Sequence, residues 1–219
     1  MTKQVAIVLA GCGVFDGSEI YETTLTLLRL DQLGIGYRCF APDVAQHHVI
    51  NHLTQEPVEG EQRNVLQESA RLARGDISPI TELDADDFDA VIVPGGFGVA
   101  KNLSDFADKG DSMQVLESVK EALVGFKEEA KPIGLMCISP VLVPRLLGEG
   151  VAVTIGHDPS VSGAISAMGG LHRSCGVEDI VVDHEHRVVT TPAYMLATRI
   201  SEAATGIFKL VDRIDEMMG

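Results

Sequence analysis

Apolar residues along the chain fall into short unbroken runs that alternate with stretches of helical spacing. Val5-Ala6-Ile7-Val8-Leu9-Ala10 follows Gln4 without a polar interruption. Such a run predicts a strand buried on both faces, as in a parallel sheet. Ser18 then predicts a helix cap, and Ile20, Leu25, Leu27, Leu28 and Leu33 give a wide apolar stripe up to the stop at Gly34. A second strand is expected at Gly36–Ala41, ended by Pro42-Asp43, and a polar excursion over 42–62 carries His47, His48 and His52. The spacing predicts a helix over Asn64–Arg74, an extended piece at Ile77–Leu83 and a solvated turn holding Asp84, Asp86, Asp87 and Asp89. Ala90-Val91-Ile92-Val93 is the next buried strand, and helices are expected over 99–109 and 113–130.

Lys131-Pro132 precedes another apolar run, Ile133-Gly134-Leu135-Met136, which stops at Cys137. Ser139 and Pro140 are helix-start residues, because proline's fixed φ and missing N–H suit a first turn. Further on, a strand is expected at Val151–Ile155 and a helix at Pro159–Met168. Asp179–Asp183 and Arg187–Thr191 read as a hairpin with His184-Glu185-His186 at its tip, and 194–217 as a closing amphipathic helix. Strands alternating with helices imply an α/β fold with a doubly wound parallel sheet. With no linker, repeat or low-complexity tract, one domain over 1–219 is expected.

Composition narrows the function. A formal net charge of −15 repels phosphate backbones and anionic membranes, which argues against nucleic-acid partners. The four cysteines, Cys12, Cys39, Cys137 and Cys175, form no C-x-x-C pair, so neither a zinc site nor a disulfide framework is suggested. No apolar run approaches the roughly 18 residues of a membrane span. A strand at the very N-terminus leaves no room for a targeting segment, and a cytoplasmic location is expected.

Ligands of open α/β sheets bind beyond the carboxyl ends of the strands. Three loops leave buried strands at that edge: Gly11–Gly17, Gly95–Gly98 and the turn at Cys137. They converge on one pocket if their strands are neighbours. Gly11-x-Gly13-x-x-x-Gly17 misses the dinucleotide spacing by one residue. Asp43 stands where a ribose acceptor would, but Asp16 and Glu19 put like charge where a pyrophosphate must go. Cys137, pinned between a strand end and a helix start, has the form of a nucleophile elbow with Cys for Ser. Helix-terminal N–H groups there favour a thiolate, although a buried cysteine is also an ordinary small core residue. Cys12, in the first glycine loop, is the rival thiol.

Glu19 and Glu22 are three apart and share a helix face, so one of them can point into the pocket. A carboxyl beside a thiol has a raised pKa and can donate to the sulfur. The Gly95–Gly98 turn offers backbone N–H groups for an oxyanion hole, together with the N–H of Ile138. Among the histidines downstream of Cys137, His157 follows a strand and is the best-placed base, while His184 and His186 belong on the surface. An H-x-H pair with no third ligand is a weak metal site, so no metal is expected.

Four segments together resemble a known family: Gly-Cys-Gly-Val-Phe-Asp-Gly-Ser-Glu-Ile-Tyr-Glu (11–22), Val-Pro-Gly-Gly-Phe-Gly-Val-Ala-Lys-Asn-Leu-Ser (93–104), Gly-Leu-Met-Cys-Ile-Ser-Pro (134–140) and Val-Thr-Thr-Pro-Ala-Tyr-Met-Leu-Ala (189–197). They are similar to the ElbB-type proteins, the glyoxalase branch of the PfpI superfamily. That group is also called enhancing lycopene biosynthesis or amidotransferase-like isoprenoid biosynthesis proteins. The resemblance covers nearly the whole chain. It implies a flavodoxin-like three-layer sandwich with a mostly parallel sheet, similar to class I glutamine amidotransferases, and a homodimer.

The resemblance makes Cys137 the nucleophile and Glu22, rather than Glu19, its carboxyl partner. Gly95, Gly96, Ile138, Asn102 and His157 are the expected oxyanion or substrate-binding residues. It implies a glutathione-independent, cofactor-free glyoxalase whose partner is a small aldehyde, glyoxal first, released as a hydroxy acid such as glycolate. Two alternatives stay open: a deglycase acting on protein or small-amine adducts, and a non-enzymatic cysteine sensor of oxidative stress. Ile138 stands where many superfamily members carry a histidine, which disfavours protease chemistry. Thr191-Pro192-Ala193-Tyr194 lacks the His and Glu of an amidotransferase triad.

Overall fold

The computed structural model describes residues 2–219. The first half of the chain runs β1 (Gln4–Val8), α1 (Ile20–Gln32), β2 (Gly36–Ala41), β3 (Ile50–Asn51), β4 (Glu56–Pro57), α2 (Val65–Leu72), β5 (Ile77–Pro79), β6 (Ala90–Val93), α3 (Phe97–Lys101) and α4 (Phe106–Lys109). It continues through α5 (Glu117–Glu128), β7 (Ile133–Met136), α6 (Val143–Leu147), β8 (Ala152–Val153), α7 (Pro159–Ala167), β9 (Leu171–His172), β10 (Val181–Asp183), β11 (Val188–Thr191) and α8 (Ile200–Met218).

The main sheet has seven strands in the order β10-β11-β7-β6-β1-β2-β5. All pairs are parallel except β10 with β11, the expected hairpin, where Val181 faces Thr190 and Asp183 faces Val188. The apolar runs occupy the middle of this sheet. Every residue of β6 and β7 is buried, as are Val5 to Ala10. α1 and α8 pack on each other, and α8 also covers β7 and β11, while α5 packs on β6 and α6. The result is an α/β three-layer sandwich, as the family resemblance implied.

Several boundaries differ from expectation, each for a local reason. Glu19, not Ser18, caps α1: its carboxylate accepts the N–H of Glu22, while the Ser18 hydroxyl accepts the N–H of Ala10 at 2.8 Å. The single helix expected over 99–109 is two short ones, broken where Ser104 turns back on the Val99 carbonyl and bridges to Val115. That bridge holds Val115 extended, so α5 starts at Glu117 rather than at 113.

The strand expected at Val151–Ile155 does not join the main sheet. Ala152 and Val153 pair with Leu171 and His172 in a separate two-stranded sheet. They meet the β10–β11 edge through side chains, with the Ala152 and Thr154 N–H groups donating to Asp183 and Thr190. The polar excursion carries the small β3–β4 hairpin. The closing helix begins at Ile200, because a 3-10 turn occupies Ala193–Met195.

Candidate active site

β1, β6 and β7 are adjacent in the sheet, so the three loops at their carboxyl ends meet as expected. Cys137 follows β7 directly with φ of 60°. A β-carbon in this left-handed region costs about 1 kcal/mol, which surrounding contacts must outweigh. Those contacts are present. The Cys137 N–H donates to the Thr191 carbonyl at 3.0 Å, tying the elbow to the end of β11. The Ser139 hydroxyl accepts the Met136 N–H at 2.9 Å and lies 2.8 Å from the carbonyls of Val93 and Met136. Ser139 therefore clamps the ends of β6 and β7 together around the cysteine.

The first loop delivers the partner. Glu22 lies in the first turn of α1, is fully enclosed, and hydrogen-bonds the Cys137 thiol. Its two oxygens are held by backbone donors, Oε2 by the Gly95 N–H at 2.8 Å and Oε1 by the Tyr194 N–H at 3.1 Å. The N–H groups of Gly96 and Ile138 point at the cysteine sulfur. Four loops thus contribute to one thiol–carboxyl pair, mostly through the backbone.

Gly95 is required by close approach. A Cβ on it would lie 2.7 Å from Glu22 Oε2 and 2.9 Å from Cys137 Sγ. Gly96 is required twice over, by its φ of 97° and because a Cβ would meet the Glu19 nitrogen at 2.5 Å.

The electrostatics correct one expectation. The residues after Cys137 form a 3-10 turn, Ser139–Leu142, and then the five-residue α6. That is too little helix for a strong terminal field. Burial pushes the Cys137 thiol well above its ordinary value, and the nearby Glu22 charge adds to this. Burial also raises the Glu22 carboxyl to about 7, with the Glu19 charge contributing, against the lowering effect of its N–H donors. The resting site is a protonated thiol beside a carboxyl poised at neutrality, not a free thiolate.

The other expected residues divide. Ile138 and Gly96 bring their N–H groups to the sulfur. Gly95 is corrected from an oxyanion donor to a support of Glu22, since its single N–H is already used there. Asn102 is corrected to a scaffold. Its amide donates to the carbonyls of Ala10 and Asp16 at 2.8 and 2.9 Å and accepts the His47 N–H at 2.9 Å, which leaves no free group for substrate. His157 is exposed and, among the described residues, makes no side-chain hydrogen bond. His186 pairs with Asp183 at 3.0 Å on the hairpin, and His172 accepts the Ile155 N–H, so neither serves the thiol. Asp43 accepts the Asn64 side-chain amide at 2.7 Å instead of a ribose.

Cys12 is half-buried, its thiol raised by burial and by Glu68. Among the described residues, no group of three His, Cys, Asp or Glu side chains is arranged to hold a metal ion, and no helix is long and apolar enough to cross a membrane.

Tyr194 and Ser139 belong to the site although their residue types do not announce it. Tyr194 acts through its main chain, which no residue type reveals. Ser139 has the residue type of an ordinary helix start, which hides its role as a clamp.

No family model matches the chain. It is 45% identical to the mitochondrial ES1 protein homolog of Rattus norvegicus, over 99% of this chain and 84% of that protein. Identity is 46% over the same shares to the Homo sapiens mitochondrial glutamine amidotransferase-like class 1 domain-containing protein 3. Among solved structures, an isoprenoid biosynthesis protein with an amidotransferase-like domain from Ehrlichia chaffeensis superposes with a TM-score of 0.93. It is 39% identical, with both chains fully covered. Drosophila melanogaster DJ-1beta shares the fold, with a TM-score of 0.61 at 15% identity over 99% of this chain and 96% of that one. The chain belongs to the ElbB-type family of ES1 and amidotransferase-like isoprenoid biosynthesis proteins.

Proposed function

We propose that this protein is a glutathione-independent glyoxalase that converts glyoxal, and other small 2-oxoaldehydes, to hydroxy acids. The observation that carries the reading is the enclosed Cys137–Glu22 pair, a thiol with 7% exposure hydrogen-bonded to a carboxyl poised near neutral pH. A base with a pKa near the working pH is the most effective proton carrier.

In the first step, Cys137 Sγ bonds to an aldehyde carbon while Glu22 takes the thiol proton. That proton passes to the new alkoxide, giving a hemithioacetal. Glu22 then removes the proton from the carbon bonded to sulfur, the neighbouring carbonyl oxygen takes up a proton in place of the one the hemithioacetal hydroxyl gives up, and a proton returns to the neighbouring carbon. One carbon is oxidised and the other reduced, so no external oxidant or reductant is needed. The resulting thioester is cleaved by water, releasing the hydroxy acid and restoring the thiol. The N–H groups of Gly96 and Ile138 surround the sulfur where charge builds up during these steps.

The geometry favours this reading over its alternatives. A redox sensor works best with a low-pKa, accessible thiolate, whereas Cys137 is raised and enclosed. The same enclosure favours a small free aldehyde over an adduct carried on a protein. The test is to supply glyoxal in a non-amine buffer and follow glycolate by NMR. Many turnovers per chain are expected, with none in Cys137→Ser. Product formed only with added glutathione, or in full by Cys137→Ser, overturns the proposal.

A further inference from the structure

Three hydrogen bonds close a ring around the carboxyl side of the site, joining the start of α1 to the turn after β6. The Glu19 N–H donates to the Gly95 carbonyl at 2.9 Å. The Gly95 N–H donates to Glu22 Oε2 at 2.8 Å, and the Glu22 N–H donates to Glu19 Oε2 at 2.7 Å. Glu19 is itself buried, at 8% exposure, and its carbonyl accepts both the N–H and the hydroxyl of Thr23.

Its residue type is unusual for this position. Helix N-caps are normally Ser, Thr, Asp or Asn, whose short side chains satisfy the same N–H groups. A buried glutamate one helical turn from a second buried carboxyl adds repulsion that a serine would avoid. No cation offsets it: among the described residues, neither Glu19 nor Glu22 forms an ion pair. The titratable groups facing Glu22 are Glu19 on its own helix, Cys137 on the elbow and Tyr194 beyond β11, while the β6 turn presents only backbone. Tyr21 lies at the rim, its ring 6.1 Å from that of Tyr194.

We infer that Glu19 is a positioning residue for the reaction: its buried carboxylate fixes the first turn of α1, and its charge governs when the Glu22–Cys137 pair releases its proton. A negative charge close by makes the next ionisation harder. A neutral cap would therefore let the pair ionise at lower pH, leaving Glu22 a weaker base at neutrality. This deepens the glyoxalase reading by naming what sets the proton affinity of that site. Its test reads the thiol rather than the product, so each can fail alone.

Alkylation of Cys137 by iodoacetamide is followed against pH, resolved by peptide mass spectrometry from the other three cysteines. The lower inflection is expected to move to lower pH in Glu19→Gln and in Glu19→Ser. Glu19→Asp, which keeps both cap and charge, is expected to hold the wild-type inflection. The serine variant keeps a good cap, so it serves if the glutamine variant does not fold. An inflection unmoved or raised in the folded neutral variants, or shifted equally in Glu19→Asp, overturns the inference.

Discussion

Glu22 and Cys137 form a hydrogen-bonded pair with almost no access to water, Glu22 fully enclosed and Cys137 7% exposed. Two N–H groups serve the carboxyl, from Gly95 and Tyr194, and two serve the sulfur, from Gly96 and Ile138. Either member can carry the single negative charge, and burial resists a second one. The relationship makes proton transfer within the pair easy and double ionisation costly.

A pH dependence of both rate and stability follows. In the proposed mechanism Glu22 must be ionised to accept the thiol proton, so the rate should fall on the acid side with an apparent pKa of about 7. For stability, a carboxyl raised from 4.5 to about 7 binds its proton more tightly in the folded state. Its contribution is fully present below the unfolded value and is lost as pH rises through the folded one, to a total of about 3 kcal/mol. Urea unfolding at several pH values, compared between wild type and Glu22→Gln, measures this. The variant should lack the decline between pH 4.5 and 8. It should carry instead a roughly constant cost of about 1–2 kcal/mol, because an amide has one oxygen for two backbone donors.

Gly95→Ala is the sharpest steric probe of the pair. The added methyl would lie 2.4 Å from Cys137 Cβ, 2.9 Å from its Sγ and 2.7 Å from Glu22 Oε2, so both residues must move. Overpacking of this kind costs about 1–3 kcal/mol. A displacement near 1 Å at the reacting atoms lowers the rate about 100-fold. Steady-state kinetics with glyoxal should therefore show loss in kcat while the protein stays folded by circular dichroism.

The sheet was legible in the sequence because β1, β6 and β7 are buried on both faces and leave unbroken apolar runs. The elbow at Cys137 was legible from where such a run stops. What stayed hidden was set by the backbone and by charge in a buried place. Tyr194 enters through its N–H, and Gly95 spends its own N–H on Glu22. Neither use leaves a trace in residue type. Helix-start residues after Cys137 suggested a strong helix terminus, but Pro140 and Pro144 leave only short helical pieces, and burial dominates the thiol instead. Val151–Ile155 read as a core strand because its apolar run is genuine. Its partner is β9 rather than the main sheet, and pattern alone does not name partners.

Asn102→Ala separates a scaffold from a substrate contact. The side chain ties the Ala10 and Asp16 carbonyls to the His47 backbone through three hydrogen bonds. Removing it leaves two buried carbonyls and an N–H without partners, a loss of about 2–4 kcal/mol at roughly 1 kcal/mol or more each. Denaturant unfolding should show a loss of that size. A change below about 1 kcal/mol, with a large rise in KM, would instead mark Asn102 as a substrate ligand.

His157→Ala and Cys12→Ser test whether the chemistry is confined to the enclosed pair. His157 is exposed and makes no side-chain hydrogen bond among the described residues, so it lies outside the Glu22–Cys137 hydrogen-bond network. Cys12 sits in the first glycine loop, but the groups that influence its thiol are Glu68, Arg71, Asp16 and Arg63, and neither Glu22 nor Cys137 is among them. Each variant is expected to keep kcat/KM within about twofold of wild type, corresponding to under about 0.5 kcal/mol of transition-state stabilisation. Cys137→Ser in the same assay should fall to background. A tenfold or greater loss in His157→Ala would mean that the proton is relayed by a group outside the pair, reached through a conformation more open than this one.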